Sequence, residues 1–172
     1  MKKKLLFGLL VFMTIGLWSC SSDKDDEYGS GNSVIPILSE TGVNNDLADF
    51  FKTELPMNSD LPSTGFFVDS NKDICHVVNS MEELKSLYKG EKELPVIDFN
   101  SQTLVIGQRV MPHLGYTLQK QYIKEYDGSL LLFLHIKCEP SDFYPTMLMK
   151  LYYWGIYPKI NKTTITVKTI EQ

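Results

Sequence analysis

The hydrophobic and polar positions along this chain mostly follow the two-residue alternation of β-strands. In the segment 163–170, Ile165 and Val167 face one way, while threonines and a lysine take the other positions. The pair Asp127-Gly128 favours a tight hairpin, because both central residues of a type I′ turn need positive φ. The other predicted strands are 34–38, 65–68, 74–78, 103–110, 116–125, 129–138 and 147–157.

Two segments have helical spacing instead. Ser80 and Glu83 form a capping box, in which the serine accepts from a free amide and Glu83 reaches back to it, and Gly90 is a natural stop. Residues 45–55 space apolar side chains at helical intervals and end at Pro56. Consecutive strands with one or two short helices predict an α+β fold, a mainly antiparallel sheet built as a sandwich or a partly open barrel.

The start of the chain has the pattern of a secretory signal peptide. Three lysines precede an uncharged apolar run of about 14 residues at 5–18, and a membrane-spanning helix needs roughly 20. The end of the run, Leu17-Trp18-Ser19-Cys20, resembles a bacterial lipobox, with Trp18 where a small residue is usual. The resemblance implies removal of residues 1–19 and attachment of diacylglycerol and palmitate-type acyl chains at Cys20. The alternatives are an ordinary signal peptide and an uncleaved anchor, and in both of them Cys20 is incidental.

Residues 20–33 are polar, acidic and rich in Gly and Ser, which is typical of a flexible tether. The acidic run at 23–27 resembles the export signal of Bacteroidota lipoproteins that reach the cell surface. We therefore expect a lipid-anchored protein of the cell outer membrane, exposed at the surface, with residues 34–172 as a single domain.

The charge of the chain excludes one class of partner. A formal net charge of −4 and a single arginine, Arg109, argue against a nucleic-acid binder, which needs a basic face to replace phosphate counterions. Removal of residues 1–19 takes away three lysines and no acidic residue, which leaves a net charge of −7.

The segment 77–116 resembles the C-terminal domain of PrcB-type protease-complex lipoproteins. The matching pieces are the helix at 80–88, the segment Leu94-Pro95-Val96-Ile97-Asp98-Phe99, a strand, and the turn Pro112-His113-Leu114-Gly115-Tyr116. Leu114 stands where the family usually has a second glycine. With the following hairpin and late strand, the PrcB-like core extends over about 75–170.

The resemblance implies a non-catalytic module that associates with or stabilises a secreted protease or another envelope complex. It brings no catalytic residue. From the residues themselves, Asp98 is expected to brace a turn while its apolar neighbours enter the core, and Gly115 to lie where a side chain would clash. Both are predicted to be structural turn residues.

Two cysteines remain after Cys20, and both lie on predicted strands. Outside the cytoplasm Cys75 and Cys138 are a candidate disulfide, if their Cβ atoms approach within about 4.5 Å. The alternative is two buried free thiols. The histidines lack metal-ligand spacing, and the sequence predicts no metal, no cofactor and no catalytic residue.

The segment 151–158 is the most aromatic part of the chain. Alternation places Tyr152 and Trp154 on one face and Tyr153 and Tyr157 on the other. One interpretation is aromatic packing over a small sheet, and the other is an exposed patch at Tyr153 and Tyr157 that binds a partner. The sequence thus predicts a non-enzymatic binding or scaffold lipoprotein with a protein partner in the cell envelope. The alternative is an accessory lipoprotein that binds a glycan or small ligand through an aromatic face.

Overall fold

The structure is a computed structural model that describes residues 32–39, 46–56, 63, 65–67, 71–141 and 147–172. Its elements in chain order are β1 (Ser33–Val34), β2 (Leu38–Ser39), α1 (Asp46–Glu54), β3 (Ile74–Val78), α2 (Met81–Leu87), β4 (Gln102–Met111), β5 (Tyr116–Tyr126), β6 (Ser129–Cys138), β7 (Met149–Pro158) and β8 (Thr166–Glu171).

Four strands form sheet A, in the order β1-β5-β6-β8. β5 and β6 are an antiparallel hairpin, and its turn residues Asp127 and Gly128 have φ angles of 47° and 72°. This is the left-handed conformation that an Asp-Gly pair favours. β8 runs parallel to β6, because the chain first crosses to the other sheet through β7 before it returns.

The other four strands form sheet B, in the antiparallel order β2-β7-β4-β3. Gly107 of β4 lies opposite Tyr153 of β7, and the phenol ring crosses over the glycine towards β3. A Cβ atom at position 107 would overlap with this ring and with the carbonyl oxygen of Ile74. The close approach therefore requires glycine.

The two sheets stack face to face around a core of inward-facing apolar side chains. Its buried members are Val105, Met111, Tyr116, Leu118, Ile123, Leu132, Leu134, Ile136, Met149, Leu151, Tyr153, Tyr157 and Ile165. The predicted α+β fold is confirmed, and of the two predicted arrangements the open sandwich is the one that forms.

Both helices pack on the outer face of sheet B and form a second core. Trp154 of β7 stacks on Phe51 of α1 with ring centroids 4.7 Å apart, and Leu84 of α2 is buried beside them. Sheet B is therefore covered on both faces. A strand covered on both faces is apolar throughout, as β7 is between Leu151 and Tyr157.

Two predicted strands differ from the structure. The segment 34–38 is split, because β1 pairs with β5 in sheet A while β2 pairs with β7 in sheet B. Pro36 lies between them and has no amide to donate to a ladder. The predicted strand at 65–68 is wrong for residues 65–67, because Gly65 and Phe66 form a bend and Phe67 is in no strand. Val68 lies outside the described residues.

The predicted capping box at the start of α2 has two hydrogen bonds, and one of them forms with the expected partner. The amide of Glu83 donates to Ser80 Oγ at 3.1 Å. The carboxylate of Glu83 accepts from the amide of Asn79 at 2.6 Å, one residue before the expected partner. The helix ends at Leu87, followed by Tyr88 in an extended conformation.

Candidate binding face

The outer face of sheet A, which points away from sheet B, carries lysines over aromatic side chains. Tyr122 of β5 lies opposite Phe133 of β6, and Phe133 lies opposite Lys168 of β8, so three strands contribute to one surface. We call it the lysine–aromatic face. Its members are Lys120, Tyr122, Lys124, Leu131, Phe133, His135, Lys137, Lys168 and Ile170.

A β-bulge in β5 creates this face. The register with β6 shifts between Leu118 and Lys120, so that Gln119 is an extra residue. Leu118 points into the core between the sheets, and in a regular strand Lys120 and Tyr122 would point the same way. The bulge reverses the alternation. Gln121 faces inward instead, where its side-chain amide donates to the backbone oxygen of Trp154 at 2.6 Å.

Two ammonium groups lie over the ring of Tyr122. The Nζ atoms of Lys120 and Lys124 are 5.2 and 5.6 Å from its centroid, and Lys124 Nζ is also 5.9 Å from the centroid of Phe133. The two rings stack at 5.2 Å. These distances are within the range of cation–π attraction.

The aromatic side chains of this face are buried. Tyr122 and Phe133 are 4% and 1% exposed, although both described helices pack on sheet B. His135 is also buried, with Nε2 3.3 Å from the hydroxyl of Tyr122 and Nδ1 3.1 Å from the side-chain amide of Gln172. The face thus has an aromatic floor under a layer of cations.

The charge of this face is opposite to that of the whole protein. Lys120 and Lys124 lie on this face, and Lys137 is paired at its rim with Glu139 at 2.8 Å. A local excess of cations on a chain with a formal net charge of −4 attracts acidic groups and orients them before contact.

The predicted partner-binding residues Tyr153 and Tyr157 lie in the core between the sheets, where they are 1% and 0% exposed. The prediction of an exposed patch is wrong, because the helices cover one face of β7 and sheet A covers the other. Tyr153 donates to the backbone oxygen of Ile74 at 3.0 Å, and Tyr157 donates to Gln121 Oε1 at 3.3 Å. Burial raises the pKa of both phenols, so both remain donors.

Cys75 and Cys138 are free thiols in this structure, so the candidate disulfide is not formed. Cys75 lies on β3, the edge strand of sheet B, while Cys138 ends β6 in sheet A, and both contact the core between the sheets. Burial raises the pKa of the Cys75 thiol. A thiol held in its protonated form is a poor nucleophile.

Asp98 and Gly115 both lie in turns that lead into long strands. The carboxylate of Asp98 accepts from the hydroxyl of Ser101 at 2.6 Å and from the amide of Asn100 at 3.2 Å. The hydrogen bond from Ser101 is the main reason that the pKa of Asp98 is lowered. Gly115 has a φ of 101°, which residues with a Cβ disfavour.

Cys20 and the acidic run at 23–27 lie outside the described residues. Among the residues that are described, no three His, Cys, Asp or Glu side chains come together in a way that would hold a metal ion. In the same ranges, no helix is long and apolar enough to cross a membrane.

The lysine–aromatic face was missed by the sequence analysis. A signal was present, since Lys120, Tyr122 and Lys124 alternate with Gln121 and Ile123. In a regular strand these three residues would share the face of Leu118. Only the bulge places them on the opposite face.

Comparison with protein-family models, with curated proteins and with solved structures finds no match to this chain. The resemblance to the PrcB-type domain stays a prediction.

Proposed function

We propose that this protein is a lipid-anchored lipoprotein of the outer membrane that binds an acidic protein of the cell envelope and catalyses no reaction. The observation that carries the proposal is the lysine–aromatic face. Lys120 and Lys124 lie over the buried rings of Tyr122 and Phe133 on a protein that is otherwise acidic.

The anchor is proposed from the sequence alone. The apolar run, the lipobox-like segment and Cys20 together favour lipid attachment, and more than one acyl chain is needed for stable anchoring. Cys20→Ser should abolish incorporation of labelled palmitate and move the protein out of the membrane fraction. Equal labelling of the wild type and the variant would contradict the anchor.

An acidic protein surface fits this face better than a single small anion does. The three contributing strands lie about 4.8 Å apart, and Lys120 and Lys124 are about 13 Å apart along β5. Cations spread over such an area match several carboxylates at once. The aromatic side chains beneath them supply the apolar contact found at the centre of protein interfaces.

The resemblance to PrcB-type domains supports a secreted peptidase complex as the kind of partner. Ion pairs across such an interface mainly speed association and fix orientation. This suits a scaffold held at the membrane by a tether, because the anchor already raises its local concentration.

A non-catalytic role is consistent with the contacts of the buried polar groups Glu54 and Cys75. Glu54 of α1 accepts from Tyr88 Oη at 3.1 Å and pairs with Lys92 Nζ at 3.1 Å, so this carboxylate joins α1 to the segment after α2. Cys75 is held as a thiol. The glycan-binding alternative depended on an exposed Tyr153 and Tyr157, and their burial removes its supporting observation.

Chemical crosslinking of the full protein in intact cells tests the binding face. The double variant K120E/K124E reverses two charges on the face, and K85E/K89E reverses two exposed lysines at and just after α2. Loss of two close charge contacts should reduce partner capture about tenfold in K120E/K124E, while K85E/K89E captures the partner normally. A folded K120E/K124E protein that captures the partner at the wild-type level would contradict the proposal.

A further inference from the structure

The acidic run at residues 23–27 is negatively charged, whereas the lysine–aromatic face is positively charged. We propose that this run docks in cis on the face and that an acidic partner must displace it. The inference concerns regulation of the proposed binding face, and its consequence for the partner rests on the proposed function. Its direct test does not require the partner.

Charge complementarity is the first argument. The run contains Asp23, Asp25, Asp26 and Glu27, with Lys24 between them. On the face, Lys120 and Lys124 lie over the ring of Tyr122. Four carboxylates against these lysines give an attraction that is screened by salt.

The second argument is the place where the chain joins the sheet. β1 is the edge strand of sheet A beside β5, and Ser33 pairs with Lys124. Paired residues point to the same side of a sheet, so Ser33 lies on the outer side together with Lys124. Ser33 therefore lies at the border of the lysine–aromatic face.

The length of the connecting segment is sufficient. Glu27 lies six residues before Ser33 and Asp23 ten residues before it, which allows spans of up to about 20 and 35 Å. Lys120 and Lys124 are about 13 Å apart along β5. The run thus reaches both lysines, and a short connection gives an effective concentration in the millimolar range.

The burial of the two aromatic rings is consistent with an occupant that binds the lysine ammonium groups and not the rings. Tyr122 and Phe133 are already buried and their lysines already lie over them. An acidic peptide can bind the ammonium groups without opening this layer. Exposed ion pairs are individually weak, so a partner with a larger acidic surface can replace the run.

Amine labelling of the purified mature chain tests the contact. The protein begins at residue 20 and carries Cys20→Ser, so that no lipid is present. The tether is neutralised by D23N/D25N/D26N/E27Q, which changes no residue of the two sheets. An amine-reactive acetylating reagent, with quantification by mass spectrometry, reports the reactivity of each lysine.

Labelling of Lys120 and Lys124 should rise about threefold in the neutralised variant at low salt. The difference should vanish at about 0.5 M salt. Lys85 on α2, which is exposed, is the internal control and should react equally in both proteins. Equal labelling of Lys120 and Lys124 in the two proteins, or an equal rise at Lys85, would overturn the inference.

A membrane surface is the competing occupant. Anionic phosphatidylglycerol vesicles that carry the lipidated wild-type protein or the lipidated neutralised variant distinguish the two occupants. Protection of Lys120 and Lys124 in both proteins, seen only on these vesicles, assigns the face to the membrane and overturns docking in cis.

The partner assay separates failure of this inference from failure of the proposed function. If the run competes with the partner, the neutralised variant should capture about threefold more partner in cells. If K120E/K124E loses partner capture as expected, while amine labelling is the same in the wild type and the neutralised variant, docking in cis is overturned and the proposed binding face is retained. If labelling rises in the neutralised variant while K120E/K124E captures the partner normally, docking in cis is supported and the proposed function is contradicted.

Discussion

The outer faces of the two sheets are covered in different ways. On sheet B, α1 and α2 provide a second apolar layer, and Trp154 stacks on Phe51 at 4.7 Å. On sheet A, the rings of Tyr122 and Phe133 lie under lysine side chains. Helices thus pack on the aromatic side chains of one outer face, and lysine ammonium groups lie over those of the other.

Under the proposed function, this difference separates a sheet face that is covered by helices from one that presents charge to a partner. Helices on sheet B are fixed by many apolar contacts, and their removal would unfold the protein. On sheet A, the ammonium groups of Lys120 and Lys124 lie over the ring of Tyr122 and carry a positive charge. An acidic surface can then bind without first unfolding any part of the sandwich.

A matched pair of phenylalanine substitutions gives the largest expected effect. Phe51→Ala, under the helix layer, should lower the free energy of unfolding by about 3–5 kcal/mol, because it opens a cavity that neighbouring elements cannot fill. Phe133→Ala should cost clearly less, about 1–3 kcal/mol, since flexible lysine stems can collapse into the space. Urea unfolding followed by circular dichroism measures both.

Val96→Ala is the control, because this side chain is 92% exposed and its loss should change stability by less than about 0.5 kcal/mol. Equal costs for Phe51→Ala and Phe133→Ala would contradict the distinction between the two outer faces.

Gly107→Ala should give the next largest loss of stability. The added methyl group would meet the ring of Tyr153 and the carbonyl oxygen of Ile74, and overpacking of this kind costs about 1–3 kcal/mol. Tyr153→Leu in the same chain should recover part of the loss, which a double-mutant cycle measures as coupling. Additive effects of the two substitutions would argue against the position of Tyr153 in the core.

Substitution of the two lysines over Tyr122 should have a small effect on stability. K120Q/K124Q should cost about 1 kcal/mol or less, the size of cation–π contacts at exposed sites, and Lys85→Gln should be neutral. Thermal unfolding measures this difference. A loss above about 2 kcal/mol would mean that these lysines are part of the core, and the two outer faces would then be alike.

The smallest effect is expected at Asp98, outside both faces. Its pKa is lowered in the folded protein, so its contribution to stability is present above the usual value of about 3.8 and is lost as the pH falls through the lower folded value. Asp98→Ala should lower the melting temperature slightly at pH 7, and the difference should shrink below about pH 3.8. An unchanged difference at pH 3 would show that the charge of Asp98 makes no contribution.

Much of the fold was predictable from local patterns. The hairpin at Asp127-Gly128, the helix that follows Ser80 and the alternation of β6 each follow from a few neighbouring residues, and the structure has all three. The split of residues 34–38 between two sheets was not predictable, since Pro36 signals an interruption and not a crossing.

The candidate binding face was not predictable for a similar reason. Periodicity showed that Tyr153 and Tyr157 share a face, but the identity of the layer over that face depends on sheet stacking. A bulge at Gln119 decides where Lys120 and Tyr122 point, and it leaves no clear mark in the sequence. Contacts between distant segments thus determined the site.

Photocrosslinking from the lysine–aromatic face in intact cells tests the central claim most directly. A photoreactive residue would replace Lys124 in one protein and Lys85 of α2 in the other, with the lipid anchor retained. The account predicts that one envelope protein is crosslinked through position 124 and not through position 85. A partner crosslinked only through position 85, or equally through both, would contradict the claim that sheet A carries the binding surface.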